Sequence, residues 1–241
     1  MIHNYWLSAE KTLIIGHRGA SDEAPENTLL AFKLSQAQGA DGLEFDIHLS
    51  SDGVAMVIHD HTLDRTTNAT GAVGAVDSAT LATIDAGAGE PVPTLKQVFE
   101  LFGRNQLYNI EIKEYGARSA ECAQAVANLI SDYELAEYCT ISSFDYNVMR
   151  HAQQLMPANT GIALLRMPYS DPIPDWYRGH ADHPHYPMID AAYMAWAQTH
   201  NQRVHTWTVN EADDARRLHS LGVHALITNK PAYLRAAVYE S

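Results

Sequence analysis

Short apolar runs rich in β-forming residues alternate along this chain with segments whose apolar positions recur at helical spacing. Residues 12–17, 42–49, 54–59, 107–113, 139–143, 160–165, 203–209 and 224–228 read as strands, and one more short strand is expected near 180–183. Residues 27–38, 95–102, 117–132, 145–155, 190–200 and 211–221 read as helices. In the first of these, Leu29, Leu30, Phe32, Leu34 and Ala37 form the stripe and Gly39 can stop it. Two stretches break the rhythm. Residues 61–93 carry Gly71, Gly74, Gly87, Gly89 and Pro91 and read as a loop-rich excursion, long enough to imply function or local structure of its own. Residues 166–189 hold five prolines and give no clear period. Regular β/α alternation implies a parallel sheet. At 241 residues the leading architecture is a TIM-type (β/α)8 barrel, one domain spanning 1–241 with a small insertion at about 61–93 after the second strand region. A doubly wound open sheet is the second choice.

The apolar strands carry chemistry at their ends. In Gly42-Leu43-Glu44-Phe45-Asp46-Ile47-His48-Leu49, strand alternation turns Glu44 and Asp46 to one face and Leu43, Phe45 and Ile47 to the other. Two like charges on one face of so apolar a strand repel each other and resist desolvation, a conflict that a divalent cation resolves. Glu111, in Asn109-Ile110-Glu111-Ile112-Lys113, adds a third carboxylate near the end of another strand. Three carboxylates suit Ca²⁺ or Mg²⁺ better than zinc. His17, after Leu13-Ile14-Ile15, and His59, closing the run from Val54 to Ile58, are positioned to give and take protons. Arg18 can hold two phosphate oxygens in a fork. Lys113 shares a face with Glu111, either as its ion-pair partner or as charge for a phosphate. In a barrel all these residues, with Ser142, Ser143 and Trp207, fall late in strands or just after them, where active sites of that fold assemble.

Neighbouring residues have blander readings. Glu26 and Asn27 are placed to brace the His17 loop, while Asn27 or Thr28 also suits a helix N-cap. His59 is preferred to His61 as the proton carrier, with Asp60 turned away to brace its loop, and His48 reads as a satisfied strand histidine. His183-Pro184-His185 has the spacing of a metal pair but lies in the proline-rich stretch, so a structural or substrate-facing role is favoured. Trp207 reads equally as barrel packing and as a pocket wall.

Composition narrows the function. A formal net charge of −13 argues against nucleic acid as a partner and requires a local positive site for any anionic substrate. Cys122 and Cys139 lack metal-ligand spacing and read as buried free thiols rather than a disulfide. The N-terminal residues do not resemble a signal peptide and no apolar run approaches a membrane span, so a cytoplasmic location without a stable membrane anchor is expected. No Gly-x-Gly-x-x-Gly or Gly-x-Ser-x-Gly motif supports a nucleotide cofactor or a serine nucleophile.

Taken together, these segments resemble the glycerophosphodiester phosphodiesterase family. The matching stretches are His17-Arg18-Gly19 with Pro25-Glu26-Asn27-Thr28, the strand from Gly42 to Leu49 with Asp52-Gly53, and Val57-Ile58-His59-Asp60. Leu63-Asp64-Arg65-Thr66-Thr67, Pro93-Thr94-Leu95, the strand from Asn109 to Lys113, Ser142-Ser143-Phe144 and Trp207 to Asn210 continue the match in order. The resemblance implies a metal-dependent barrel that hydrolyses glycerophosphodiesters, such as glycerophosphocholine or glycerophosphoethanolamine, to sn-glycerol 3-phosphate and an alcohol. It implies His17 and His59 as the acid–base pair, Glu44, Asp46 and Glu111 as metal ligands, and Arg18 and Lys113 as the phosphate grip. Trp207 is expected to contact substrate. The partner is then a small-molecule glycerophosphodiester, with a second copy of the chain left open. Asn229 stands where the family usually carries an aspartate, and 166–189 matches no motif.

Rival readings use the same site differently. A phospholipase D-like or C-like enzyme acting on lysophospholipids needs an apolar rim, for which Trp6, Tyr169, Trp176 and Tyr177 are candidates. An amidohydrolase-type barrel needs an early His-x-His where this chain has Gly16-His17-Arg18. A phosphodiester-binding protein on a decayed barrel would have lost one of the histidines or carboxylates, and all are present.

Overall fold

A computed structural model describes residues 2–240. Its strands are β1 (Leu13–His17), β2 (Gly42–Leu49), β3 (Ala55–Val57), β4 (Leu107–Ile112), β5 (Cys139–Ser143), β6 (Gly161–Arg166), β7 (Ala181–Pro184), β8 (Arg203–Thr206) and β9 (Ala225–Thr228). The helices are α1 (Tyr5–Ser8), α2 (Leu29–Ala37), α3 (Ser78–Leu81), α4 (Leu95–Phe102), α5 (Ser119–Asp132), α6 (Tyr146–Leu155), α7 (Ala191–Thr199), α8 (Ala212–Ser220) and α9 (Pro231–Tyr239). Eight strands pair in parallel, and β1 joins both β9 and β2, closing a TIM-type (β/α)8 barrel.

At one place the fold departs from expectation. The run at 54–59 yields β3, which pairs antiparallel with β2 through Ile47 and Val57 and leaves the barrel. The turn at Ser51-Asp52-Gly53, with Gly53 at φ +79°, folds the chain straight back, and a connection this short can only make an antiparallel neighbour. Three helices, the short α1 and α3 and the C-terminal α9, were not expected from the sequence. Pro231 begins α9, where a missing N–H costs nothing, and Leu234, Ala237 and Val238 form its buried stripe.

Strand alternation sorts the side chains as the pattern requires. Leu43, Phe45 and Ile47 of β2 pack outward with Phe32, Val98, Phe99 and Val126 from the helical ring. Burying side chains of this size contributes roughly 1.5–3 kcal/mol each. The opposite face of β2 points Glu44 and Asp46 into the barrel. At the other end of the barrel, Trp6 packs with Leu13, Ile15, Ala225 and Ile227 and is fully buried. The excursion at 61–93 builds a small core of its own, with Leu63, Val73, Leu81 and Val92 around Met56 and Ile58. Thr94 caps α4 in a reciprocal box with Gln97. Cys122 and Cys139 are buried free thiols, as expected. No helix among the described residues is long and apolar enough to cross a membrane.

Candidate active site

The residues singled out by pattern converge at the C-terminal ends of the barrel strands. His17, Arg18, Glu44, His59, Glu111, Lys113 and Trp207 line one pocket of about 160 Å³, joined by Asn109, Phe144 and Leu165. Asp46 lies beneath, its carboxylate against Arg18 and Lys113. Pairing registers explain the convergence. Glu44 faces His17 across β1–β2, and Asp46 faces Glu111 across β2–β4.

Carboxylate oxygens of Glu44, Asp46 and Glu111 lie within 4.8 Å of one another, and all three residues are buried. Lys113 Nζ sits 2.7 Å from Glu111 Oε1 and 3.5 Å from Asp46 Oδ1. Arg18 Nε lies 3.3 Å from Asp46 Oδ2, to which Asn27 Nδ2 donates at 2.9 Å. Two cations therefore face three carboxylates. Burial, with repulsion from Asp46 and Glu111, pushes the Glu44 carboxyl well up. Burial raises Glu111 to about 7, against the pull of Lys113. Burial also works against the Asp46 carboxylate, but Lys113 and Arg18 outweigh it and hold its pKa below the usual range. Asp46 Oδ1 and Glu111 Oε1 are buried without a well-directed hydrogen bond. Under-satisfied carboxylate oxygens at this spacing fit a hard divalent cation, and no cysteine or histidine belongs to the cluster.

Loop geometry brings Arg18 to that cluster. Arg18 and Asn27 adopt left-handed φ values of +55° and +58°, which cost a residue with a Cβ roughly 1–2 kcal/mol. The surrounding bonds hold both in place. The Arg18 N–H donates to the Glu44 carbonyl at 2.8 Å, and the Asn27 N–H donates to the Arg18 carbonyl at 3.0 Å. Gly19, at φ +85°, packs so closely on Ala31 that a Cβ would lie 2.6 Å from its carbonyl carbon. Glu26 Oε1 accepts from Arg18 Nη1 at 2.9 Å and from Arg65 Nη2 at 2.8 Å. Thus Glu26 and Asn27 brace the loop as expected, and the N-cap of α2 is Thr28 alone.

The two histidines differ in their partners. His17 Nδ1 lies 2.6 Å from Asn229 Oδ1, an acceptor, so Nδ1 carries the proton and Nε2 faces inward, 4.0 Å from Glu44 Oε2. Burial, reinforced by Arg18, lowers His17 to about 4 despite the Asn229 bond. His59 Nδ1 lies 2.5 Å from Asp60 Oδ1, while Arg65 Nε donates to Asp60 Oδ2 at 2.7 Å. Asp60 therefore braces the loop but is not turned away, because it also orients His59. Burial lowers the His59 pKa, against the attraction of Asp46. His48 Nε2 donates to the His59 carbonyl at 3.1 Å, a satisfied strand histidine that steadies the loop. Asn229, Asn109 and Phe144 were not candidates. Asn109 was marked only by its place in the stretch from Asn109 to Lys113, Asn229 only as the residue just after β9 where the family usually carries an aspartate, and Phe144 only by its place in the Ser142-Ser143-Phe144 stretch.

His183 and His205 lie away from this pocket. They pair at 2.9 Å, both wholly buried, and His205 packs its ring against Trp6. Trp207 walls the pocket, its indole N–H donating to the His183 carbonyl at 2.9 Å and its ring edge-on to Phe144. Both readings of Trp207 hold together.

A closed TIM-type barrel with a buried carboxylate cluster beside two histidines at its C-terminal mouth has the layout of a hydrolase site, and the carboxylates are placed so that they could hold a metal ion. Residues 17–233 match the glycerophosphoryl diester phosphodiesterase family, and the chain belongs to it as a phosphoric diester hydrolase. A glycerophosphodiester phosphodiesterase of Caldanaerobacter subterraneus is 35% identical, over 93% of this chain and 96% of its own. One from Bacillus subtilis is 30% identical, over 93% of this chain and 86% of its own. Among solved structures, an Oleispira antarctica phosphodiesterase in complex with the product sn-glycerol-3-phosphate superposes with a TM-score of 0.86. It is 26% identical, with 96% of this chain and 98% of that chain covered.

Proposed function

We propose that this chain hydrolyses glycerophosphodiesters such as glycerophosphocholine and glycerophosphoethanolamine to sn-glycerol 3-phosphate and the free alcohol. This reading rests on the meeting of two differently partnered histidines, two cations and two carboxylates in one small pocket, with the third carboxylate, Asp46, directly beneath. Glu44, Asp46 and Glu111 would hold a divalent cation, with Ca²⁺ or Mg²⁺ favoured by the all-oxygen donor set. When bound there, the cation supplies Lewis-acid stabilisation of negative phosphoryl oxygens.

The protein's own groups do the rest. Arg18 and Lys113 grip the phosphodiester and stabilise charge that develops on it. His17, neutral and with Nε2 free, is the base that takes a proton from the nucleophile. His59, backed by the Asp60 carboxylate at 2.5 Å, is the acid that protonates the leaving alcohol. The nucleophile is either water or the adjacent glycerol hydroxyl. Trp207 and Phe144 wall the substrate against bulk water.

Action on lysophospholipids is the weaker alternative. Of the four aromatics that a lipid surface would use, Trp6 and Tyr177 are buried in the fold, and Tyr169 is the one that is largely exposed. Purified protein incubated with glycerophosphocholine or glycerophosphoethanolamine, in Ca²⁺, Mg²⁺ or EDTA, tests the proposal. Cation-dependent release of glycerol 3-phosphate is expected. Release from lysophospholipid vesicles alone would replace it with the lipid reading.

A further inference from the structure

Every barrel strand but one is followed by a helix before the next barrel strand begins. The exception is β6, where residues 167–180 run to β7 without a helix. That missing helix leaves the outer wall of β6, β7 and β8 partly uncovered, and a cavity of about 1370 Å³ occupies the gap. It lies outside the barrel and shares no residue with the catalytic pocket.

Charge in this cavity is unusual for the molecule. Arg150, Arg178 and Arg203 are the arginines without a carboxylate partner among the described residues, and Arg178 and Arg203 both line it. Arg178 Nη1 bonds only to backbone carbonyls, including that of Tyr177 at 2.8 Å. Arg203 donates to the Ala9 carbonyl, and its buried Nε has no partner. Burial disfavours the Arg203 charge, and no carboxylate among the described residues pairs with it to offset that cost. The exposed carboxylate of Asp175 also lines the cavity, as do two polar groups more than nine-tenths buried. Asp182 has one oxygen engaged by Tyr193 and by Arg166, but Oδ1 is unpartnered. Tyr177 is buried with its hydroxyl unpartnered. Pro172, Ile173 and Trp196 supply apolar surface between them. Buried donors and acceptors left unpaired cost about 1–3 kcal/mol each, and a ligand that satisfies them recovers that energy.

We propose that this cavity binds a small organic anion, a carboxylate or phosphate ester, with its charged end at Arg178 and Arg203 and a hydroxyl or amine against Asp182 and Tyr177. Guanidinium groups favour such anions through charged, directional hydrogen bonds. On an acidic protein the locally unpaired arginines are what admit an anion. The position also gives the site a use. The same segment that walls this cavity through Pro172 and Arg178 walls the space beside the catalytic pocket through Met167 and Tyr169. An occupant would fix both walls.

The test uses phenyl phosphate, titrated by calorimetry in EDTA into the full chain carrying Arg18→Gln, which weakens anion binding at the catalytic pocket. One site is expected to remain. Adding Arg178→Gln, at an exposed residue whose loss leaves the fold intact, is expected to weaken it about tenfold or more, the worth of a charged hydrogen bond. Arg203→Gln is expected to do the same, and Arg150→Gln, outside the cavity, to change nothing. Inorganic phosphate is expected to bind more weakly than phenyl phosphate. No residual site at millimolar phenyl phosphate, or a site indifferent to Arg178→Gln, would overturn the proposal. Equal affinity for inorganic phosphate would remove its organic part.

Discussion

Two polar clusters share the interior of this barrel in contrasting surroundings. At the mouth, Glu44, Asp46 and Glu111 crowd together beside Arg18 and Lys113, next to an open pocket. Against another arc of the wall, His183 and His205 hydrogen-bond to each other, with Trp6 packed on His205. Burial depresses the histidines of both regions, His17 to about 4 and His183 to about 3. A shifted titration therefore does not separate the proposed base from a histidine that only packs. What separates them is the neighbourhood. His17 has a fixed tautomer, a free Nε2 and a cavity in front of it, whereas His183 has a second neutral imidazole.

The two regions should differ most at their histidines. His17→Ala and His59→Ala are each expected to lower kcat by about 10²–10⁴-fold with the fold retained, the usual worth of a general acid or base. Steady-state kinetics with circular dichroism as a control would show it, and turnover within tenfold of the wild type in both variants would sink the assignment. His183→Leu should leave kcat far less changed.

A divalent cation is expected to stabilise the fold through the mouth cluster and not through the histidine pair. At a hundred times its Kd, a divalent cation bound to the folded state raises stability by about 2.7 kcal/mol. Melting in Ca²⁺ or Mg²⁺ against EDTA measures this. Asp46→Asn should abolish the gain and His183→Leu should keep it. A gain surviving in Asp46→Asn would place the cation elsewhere.

The smallest expected effect lies in the acid limb of stability. The folded His183 pKa, about 3, is below its ordinary value, so the unfolded chain binds more protons as pH falls through this range. Stability is thus fully present above about pH 6.5 and is lost as pH falls toward the folded value, at most about 1.4 kcal/mol per pH unit for one site. Urea unfolding from pH 7 to pH 4 should give a slope shallower by about one proton in His183→Leu. An unchanged slope would mean that the pair does not stay neutral in the fold.

Much of the mouth was legible in the chain because strand alternation is strict. Glu44 and Asp46 two residues apart must share a face, and Lys113 must follow Glu111 to the same end. The brace residues Glu26 and Asn27 were legible from their nearness to Arg18. Asn229 was less so. Its bond to His17 joins residues more than two hundred apart, and only closure of β9 on β1 brings them together. Asp60 was misread because a side chain next to its partner in sequence can turn either way, and Arg65 decides which.

By itself, the sequence determined the periodicity of each element, the face on which each carboxylate falls and the residue types available for chemistry, since these follow from local backbone geometry. The tertiary structure alone decided that the third strand folds back out of the barrel, that Asn229 rather than a carboxylate fixes His17, and that the missing helix after β6 leaves two arginines facing a cavity. Those outcomes depend on which distant strands meet, and barrel closure sets that for all eight at once.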